Sequence, residues 1–287
     1  MRASTAFCAV LVLIVAACGG SRNREYALQG QVLSVTTDHR EATIKHDAIP
    51  GFMSAMTMPY HPRDLREFEG LSAGDLIAAT LVVESNDAYL KNVRRTGTAP
   101  VGSTASEAPT ASSGFELLKV GQPVPNVAFV DQDGQHVEFE SYRNSAVVLT
   151  FMYTKCPMPT FCPLMDRHFA AMQRKLKERG NDLRVRLLSV SIDPLTDTPP
   201  LLKTHAKSLE ADDRLWTFVT GDRDQIDQWA SRFGLSVTRA MNDQRDITHT
   251  LRTAIVDRQG NLVQTYIGNE WTPDQVLADV RVMVGVD

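Results

Sequence analysis

Residues 97–114 read GTAPVGSTASEAPTASSG, which is mostly small and polar side chains with two prolines. A stretch of this composition cannot bury a core, so we expect a flexible linker. This feature constrains the fold most, because the sequence on either side must then fold as separate units. A chain of 287 residues is long enough for two domains. We therefore predict one domain at residues 26–96 and another at residues 115–287.

The beginning of the chain has the features of an export signal. Arg2 supplies a positive charge, and the apolar run at residues 6–17 is too short for a comfortable transmembrane span. The following Cys18 completes a segment that resembles the lipobox of bacterial lipoproteins. The resemblance implies that residues 1–17 are removed and that Cys18 is lipidated, leaving residues 18–25 as a tether. A plain secretory signal is the alternative. We expect an extracytoplasmic, periplasm-facing protein, held to a membrane by its lipid.

The cysteine count narrows the chemistry of the mature protein. Of four cysteines, Cys8 is lost with the signal and Cys18 carries the lipid, so Cys156 and Cys162 remain as thiols. Outside the cytoplasm such a pair forms a disulfide, a metal site or a redox couple. A purely stabilising disulfide is disfavoured, because closing a short loop gives less stability than closing a long one. The net charge of −4 does not indicate a nucleic-acid partner.

Strand-like and helix-like patterns alternate along residues 115–287. The run SAVVLTFMY is continuously apolar, as expected for a strand buried on both faces. The runs LRTAIVD and NLVQTYI flank a turn and predict a hairpin, and Thr272 begins a capping box for a last helix. This order predicts an α/β domain with a thioredoxin-like layout. After Pro163, spacings of four, three and four mark the buried face of a helix, formed by Met165, Phe169, Met172 and Leu176.

Cys156 and Cys162 follow the apolar strand and precede that helix. Sites form at the carboxyl ends of strands in open α/β sheets. The positive end of a helix lowers a thiol pKa and so favours the thiolate. Two thiolates are soft ligands that suit Cu(I), and an imidazole can complete such a site. Zinc is the alternative metal, although a structural zinc site usually takes four protein ligands.

Three segments, FMYTKCPMPTFCPLM, SIDPLTDTPPLLKTHA and THTLRTAIVDRQGNL, resemble in this order the Sco/SenC family of copper chaperones. The resemblance implies that Cys156, Cys162 and His249 bind copper. It also implies delivery of copper to the dinuclear copper centre of cytochrome oxidase, or reduction of its thiols. Asp193 matches a family aspartate, for which we expect a supporting role. The family usually has three residues between the cysteines, whereas this chain has five, so the separation of the two sulfurs can differ.

Residues 26–96 contain short strand-like runs separated by turn-forming residues, with no evident amphipathic helix. This pattern predicts a small all-β barrel. Met56 and Met58 are two residues apart and therefore share one face of a strand, while His46 ends the preceding strand. Two thioethers and an imidazole form a soft, neutral site that favours Cu(I) over zinc. The alternative is that the methionines only fill the core, which is their usual role.

The segment HDAIPGFMSAMTMPY resembles the CusF-like periplasmic copper-binding domain, an OB-like barrel of five strands. The resemblance implies that His46, Met56 and Met58 are the ligands. Met53 stands where the family has a tryptophan that caps the metal, so the cation–π contact is absent and Met53 can offer a third thioether. His61, just beyond the segment, is a weaker candidate.

These features predict an exported metallochaperone that binds copper as Cu(I), with Cu(II) as an alternative. Its expected partner is the copper-receiving subunit of a respiratory oxidase. The competing hypothesis is an enzyme, a thiol–disulfide oxidoreductase whose Cys156 and Cys162 reduce cysteines of a copper-site partner. The lack of a C-x-x-C pair weakens a general thioredoxin role, and no peroxide-activating arrangement is recognisable for a thiol peroxidase. The methionine cluster favours the metallochaperone, because a reductase has no obvious need for it.

Overall fold

A computed structural model describes residues 23–101, 116–180, 184–239 and 247–284. The predicted signal at residues 1–17, Cys18 and residues 102–114 of the predicted linker lie outside these ranges. Among the described helices, none has the length and apolar character needed to cross a bilayer.

The N-terminal part is a single sheet of five antiparallel strands in the order β3-β2-β1-β4-β5. The first strand begins two residues before the expected domain start at 26, and the last ends two residues after 96. A short 3₁₀ helix at Leu65–Phe68, which the sequence pattern did not indicate, precedes β4. The strands are β1 (Arg24–Val35), β2 (Ala42–His46), β3 (Met56–Tyr60), β4 (Asp75–Val83) and β5 (Ala88–Thr98).

The two edges of this sheet meet beyond the end of β3. The Leu90 amide donates to the His61 carbonyl at 2.8 Å, and the Arg63 amide donates to the Leu90 carbonyl at 2.7 Å. These bonds join the continuation of β3 to β5 and close the sheet, so the predicted five-stranded barrel is confirmed. Its interior is filled by apolar side chains from every strand and from the 3₁₀ helix, among them Leu28, Ile44, Phe68, Ile77, Leu81 and Leu90.

The C-terminal part contains a seven-stranded sheet in the order β14-β13-β8-β9-β10-β6-β7. Strands β8, β9 and β10 are parallel, and the outer strands are antiparallel to their neighbours. A separate two-stranded ribbon is formed by β11 and β12. The strands are β6 (Ala128–Asp131), β7 (His136–Glu138), β8 (Ala146–Met152), β9 (Val185–Ser191), β10 (Trp216–Thr220), β11 (Val237–Arg239), β12 (Ile247–His249), β13 (Arg252–Val256) and β14 (Leu262–Ile267).

Helices cover both faces of the seven-stranded sheet, which is why all seven residues of β8 are buried. The buried apolar side chains of α2, of α4 and of α1 from Met165 onward belong to one apolar cluster, whereas those of α3 and Cys162 at the start of α1 belong to the cluster on the other face. Full burial of each large apolar side chain contributes about 1.5–3 kcal/mol, so these clusters dominate the stability. The helices are α1 (Cys162–Glu178), α2 (Pro199–Ser208), α3 (Arg223–Ser231) and α4 (Pro273–Val284).

Candidate metal-binding sites

The loop that carries the cysteines leaves the end of β8 and enters α1 at Cys162. Its first residues are fixed by Asp197, whose carboxylate accepts hydrogen bonds from the Thr154 amide at 3.1 Å and from the Thr154 hydroxyl. The hydroxyl of Ser191 donates to the same carboxylate at 2.6 Å. Asp197 has no exposed surface, and this burial raises its pKa. The turn before Asp197 depends on Asp193, whose carbonyl accepts from the Asp197 amide at 2.8 Å, so Asp193 supports the loop indirectly.

The second half of the loop is held by two side chains from elsewhere. The Asn269 amide group donates to the Thr160 carbonyl at 2.8 Å. The Arg167 guanidinium donates to the Pro159 carbonyl at 3.1 Å. The chain is therefore tied to the framework both before Cys156, at Thr154, and between the two cysteines, at Pro159 and Thr160.

Cys156 and Cys162 are not joined by a disulfide. Cys162 is buried and Cys156 is half-buried. A hydrogen bond from Cys162 lowers the pKa of the Cys156 thiol, and burial raises the pKa of the Cys162 thiol well above its usual value. We expected the start of the helix to favour a thiolate at this position. At Cys162 burial has the larger effect, so Cys156 is the thiol that ionises first.

His249 approaches this pair from the β11–β12 ribbon, where it is paired with Val237. Its Nε2 lies 3.6 Å from the Cys162 sulfur, and its Nδ1 lies 2.9 Å from the Thr250 carbonyl oxygen. A carbonyl can only accept, so Nδ1 carries the proton and Nε2 presents its lone pair to the sulfur. Burial lowers the pKa of His249 to about 4. The imidazole is therefore neutral and ready to bind a cation at physiological pH.

Cys162 is the centre of this cluster, because it contacts both Cys156 and His249. Within the described ranges, no three histidine, cysteine, aspartate or glutamate side chains are already arranged as a metal site. Cys162 thus contacts each of the other two predicted ligands, but the three do not surround one ion position in this structure. Two soft sulfurs and one neutral imidazole remain a donor set suited to Cu(I).

The predicted methionine site lies at one end of the barrel, on paired strands. His46 in β2 is directly opposite Met56 in β3, and Ile44 is opposite Met58. Met56 and Met58 alternate with an exposed Thr57 and so share the inner side of the strand. Met58 is buried, whereas Met56 is half-buried. The register therefore brings His46 next to one thioether and leaves that thioether accessible.

His46 has the same proton arrangement as His249. Its Nδ1 lies 2.7 Å from the Asp47 carbonyl oxygen, so Nδ1 is the protonated nitrogen. Its Nε2 is buried and has no hydrogen-bond partner. Burial also lowers the pKa of His46, which keeps the ring neutral. A buried lone pair without a donor is costly, and a bound metal ion would satisfy it, so the residues fit a metal here.

The other two candidates in the barrel differ in position. Met53 is buried in the same apolar cluster as Met58, and the Tyr60 hydroxyl lies 4.0 Å from its sulfur. His61 lies elsewhere: its Nδ1 is 2.9 Å from the Arg40 carbonyl oxygen and its Nε2 is 4.0 Å from the Glu41 carboxylate. Met53 thus remains a possible third thioether, and His61 has partners of its own.

One glycine gives the methionine site its shape. Gly30 in β1 faces His46 across the strand pair. A Cβ atom at this position would lie 2.7 Å from the Lys45 carbonyl oxygen and 2.9 Å from the His46 Cα. These distances are shorter than any normal contact, so only glycine allows β1 to approach His46 this closely.

Residues that the sequence reasoning did not select bring the two sites near each other. Thr248, next to His249, has its hydroxyl 3.9 Å from the Met56 sulfur. Met158 of the cysteine loop is buried in the apolar cluster of the barrel, and Cys156 packs against that cluster too. The barrel therefore lies against the cysteine loop.

Two protein-family models match separate parts of the chain. Residues 122–285 match the family model SCO1/SenC, and residues 25–94 match the model described as copper binding periplasmic protein CusF. A SCO1 protein homolog of Bacillus subtilis (strain 168) is 31% identical over 155 residues, which covers 53% of this chain and 78% of that protein. A putative copper-binding protein of Stutzerimonas stutzeri is 27% identical over 150 residues, covering 51% of this chain and 70% of that protein.

Solved structures resemble the C-terminal part. BsSco, described as a member of the Sco family of cytochrome c oxidase assembly proteins with a disulfide switch, has a TM-score of 0.50 and 28% identity, covering 60% of this chain and 100% of its own. A SCO1/SenC family lipoprotein from Bacillus anthracis str. Ames has a TM-score of 0.51 at 24% identity, covering 58% of this chain and 99% of its own, and shows the fold alone. The predicted thioredoxin-like domain is confirmed.

Proposed function

This chain belongs to the SCO1/SenC family and carries a CusF-like domain, and we propose that it is a metallochaperone that binds Cu(I) at two sites. One site consists of His46, Met56 and Met58, with Met53 as a further thioether. The other consists of Cys156, Cys162 and His249. The copper is the protein's cargo, which it holds on soft ligands and passes to a recipient.

The observation that carries this proposal is the orientation of the two histidines. In each, the Nδ1 proton is engaged by a backbone carbonyl, which leaves Nε2 free beside sulfur ligands. A hydrogen bond from the distal nitrogen to a carbonyl is the usual outer-shell support for a metal-bound histidine. Two unrelated folds in one chain thus present the same kind of imidazole next to sulfur, which a general reductase would not need.

The matched families support a recipient and a location. The matched relatives include BsSco, described as a member of a family of cytochrome c oxidase assembly proteins, which supports the copper-receiving subunit of a respiratory oxidase as the partner. The CusF family is described as periplasmic, and a family member is described as a lipoprotein. These descriptions support an envelope protein that faces the periplasm and is anchored to a membrane through Cys18.

A thiol–disulfide oxidoreductase is the second candidate, and the unequal thiols favour it. Cys156, with its lowered pKa, would attack a disulfide of the partner, and Cys162 would then release the partner as a dithiol. The two electrons come from the pair, which ends as a Cys156–Cys162 disulfide. This reaction uses the same residues as copper binding, so the two candidates must be separated by experiment.

The deciding experiment is an anaerobic Cu(I) titration of the reduced protein without its lipid. We expect two equivalents to bind, and we expect the variant Cys156→Ser/Cys162→Ser to bind one. A double variant that still binds two equivalents would refute the cysteine site. The control is a variant that combines all four substitutions, Cys156→Ser, Cys162→Ser, Met56→Leu and Met58→Leu, and we expect it to bind no Cu(I). Rapid reduction of a disulfide substrate by the unmodified protein, with no copper bound, would instead favour the oxidoreductase.

A further inference from the structure

The cysteine loop does more than carry the two thiols. Met158, at its centre, retains only 4% of its accessible surface. Met158 belongs to the barrel's apolar cluster and to neither cluster of the seven-stranded sheet. The loop therefore packs a thioether side chain against the apolar core of the other domain.

That cluster contains the methionine site. Met53 and Met58 are members of it, and Met56 packs against it. Met158 joins three thioethers that are already candidate ligands. Cys156, two residues earlier, packs against both this cluster and the core of the seven-stranded sheet. Cys156 is thus at the boundary between the two parts, and Met158 is on the barrel side of it.

Other contacts hold the two parts in this arrangement. The Arg167 guanidinium donates to the Pro159 carbonyl in the loop and, at 3.4 Å, to the Asn86 carbonyl in the barrel turn between β4 and β5. The Thr248 hydroxyl of the β11–β12 ribbon contacts the Met56 sulfur of the barrel at 3.9 Å. The contact between the two parts therefore involves α1, the cysteine loop and the β11–β12 ribbon. It places Thr248, next to His249, against Met56, and it places Met158, two residues after Cys156, in the barrel's apolar cluster.

We propose that Met158 is a ligand of the barrel's copper site and the residue through which Cu(I) passes to Cys156 and Cys162. The proposal deepens the proposed function and rests on it. A thioether is a neutral, soft ligand of the kind already present at His46, Met56 and Met58, and it exchanges without a proton transfer.

The transfer conserves charge and oxidation state. Cu(I) remains Cu(I) throughout. Bonds to barrel ligands are released as bonds to the Cys156 and Cys162 sulfurs form, and each thiol that binds as a thiolate loses its proton to water. Met158 can hold the ion during this exchange because it is two residues from Cys156 and is buried in the apolar cluster that contains Met53 and Met58. The ion does not need to leave the protein.

The alternative is that Met158 only fills space, and leucine distinguishes the two roles. Leucine has nearly the same volume but no sulfur, so Met158→Leu keeps the packing and removes the ligand. The matched control is Met172→Leu, which changes a fully buried methionine of α1 on the far cluster. Both changes are made in full-length Cys156→Ser/Cys162→Ser protein, where the barrel site is the remaining copper site.

Cu(I) affinity is measured by competition with a chelator of known affinity, and sulfur ligands are counted by X-ray absorption at the copper edge. We expect Met158→Leu to weaken binding about tenfold and to remove one sulfur from the copper, while Met172→Leu changes neither. Unchanged affinity and sulfur count in Met158→Leu would overturn the role of Met158 while leaving the proposed function intact. If the Cys156→Ser/Cys162→Ser protein without further changes binds no Cu(I), the proposed function itself fails. Met158→Ile, which also lacks sulfur, serves as the second variant if the leucine variant is unstable, with the same expected loss.

Discussion

The barrel site and the cysteine site present their histidines in the same way, but they differ in their sulfur ligands and in how the fold positions them. His46 and His249 are both neutral, and both have Nδ1 bound to a backbone carbonyl. The barrel adds thioethers from a regular strand pair, with ligands set by register. The thioredoxin-like domain adds thiols from a loop, with ligands set by long-range hydrogen bonds. The comparison teaches that a neutral imidazole suits either site to a cation. The type of sulfur ligand, thioether or thiol, determines how Cu(I) affinity depends on pH, and the element that carries it, strand pair or loop, determines which part of the fold supports binding.

The largest expected difference between the sites is in pH dependence. At least the Cys162 proton must leave when Cu(I) binds, because burial raises the pKa of that thiol well above its usual value. Cu(I) affinity at the cysteine site should therefore fall at least about tenfold for each pH unit between about pH 8.5 and about pH 6.5. His249, with a pKa of about 4, stays neutral in this window and adds nothing to the slope.

The barrel site should show almost no change over the same window. Its thioethers do not titrate, and burial lowers the pKa of His46, so protons compete with the metal only at lower pH. Chelator competition would be run on Met56→Leu/Met58→Leu for the cysteine site and on Cys156→Ser/Cys162→Ser for the barrel site. Equal slopes for the two variants would show that the sulfur assignment is wrong.

The second expected effect concerns the support of the cysteine loop. Asp197→Ala removes the acceptor for the Thr154 amide and hydroxyl and for the Ser191 hydroxyl. Leaving such buried donors unpaired should destabilise the thioredoxin-like domain by about 2 kcal/mol. All three tryptophans of the chain lie at positions 216, 229 and 271, so denaturation followed by tryptophan fluorescence reports on this domain alone.

Asp197→Asn is the matched control, because its amide oxygen keeps one acceptor in a side chain of the same shape. We expect a smaller loss of stability for Asp197→Asn than for Asp197→Ala. Equal losses in the two variants would contradict the role of Asp197 as the acceptor that holds the loop.

The smallest expected effect concerns the shape of the barrel site. Gly30→Ala places a methyl group against the Lys45 carbonyl and the His46 backbone. The strand pair must move apart, which should cost about 1 kcal/mol or slightly more and weaken Cu(I) binding by His46 several-fold. Gly97→Ala is the control, since its Cβ would meet only a Leu76 side-chain atom at 3.7 Å, an ordinary contact. Equal affinities in the two glycine variants would contradict this account of Gly30.

Local patterns in the sequence predicted most of the fold. The apolar run of β8, the buried face of α1 and the β13–β14 hairpin are repeated signals within single segments, and the structure forms each of them. The cap of α4 also forms, with the Gln275 amide 3.2 Å from the Thr272 hydroxyl. Two short strand pairs, β6–β7 and β11–β12, were missed, because three or four residues are too few to establish a period.

The site was less predictable where it depends on contacts between distant residues. We expected a supporting role for Asp193, yet the carboxylate that accepts hydrogen bonds from the loop belongs to Asp197. No pattern in the neighbouring sequence distinguishes the two aspartates. The burial of Met158 against the barrel was not predicted, because a single methionine outside a helix or strand has no periodicity to indicate what buries it.

Because both histidines are neutral, the copper ion and the sulfur ligands determine the net charge of each site when Cu(I) is bound. With neutral imidazole and neutral thioethers, Cu(I) in the barrel would leave a buried charge of +1, which a low-dielectric interior disfavours. With two thiolates, the same ion in the thioredoxin-like domain would leave a total of −1, in which the cation has direct counter-charges. The ion therefore has direct counter-charges at the cysteine site only, and transfer from the barrel to the cysteines is favoured more strongly as the pH rises and the thiols lose their protons more readily.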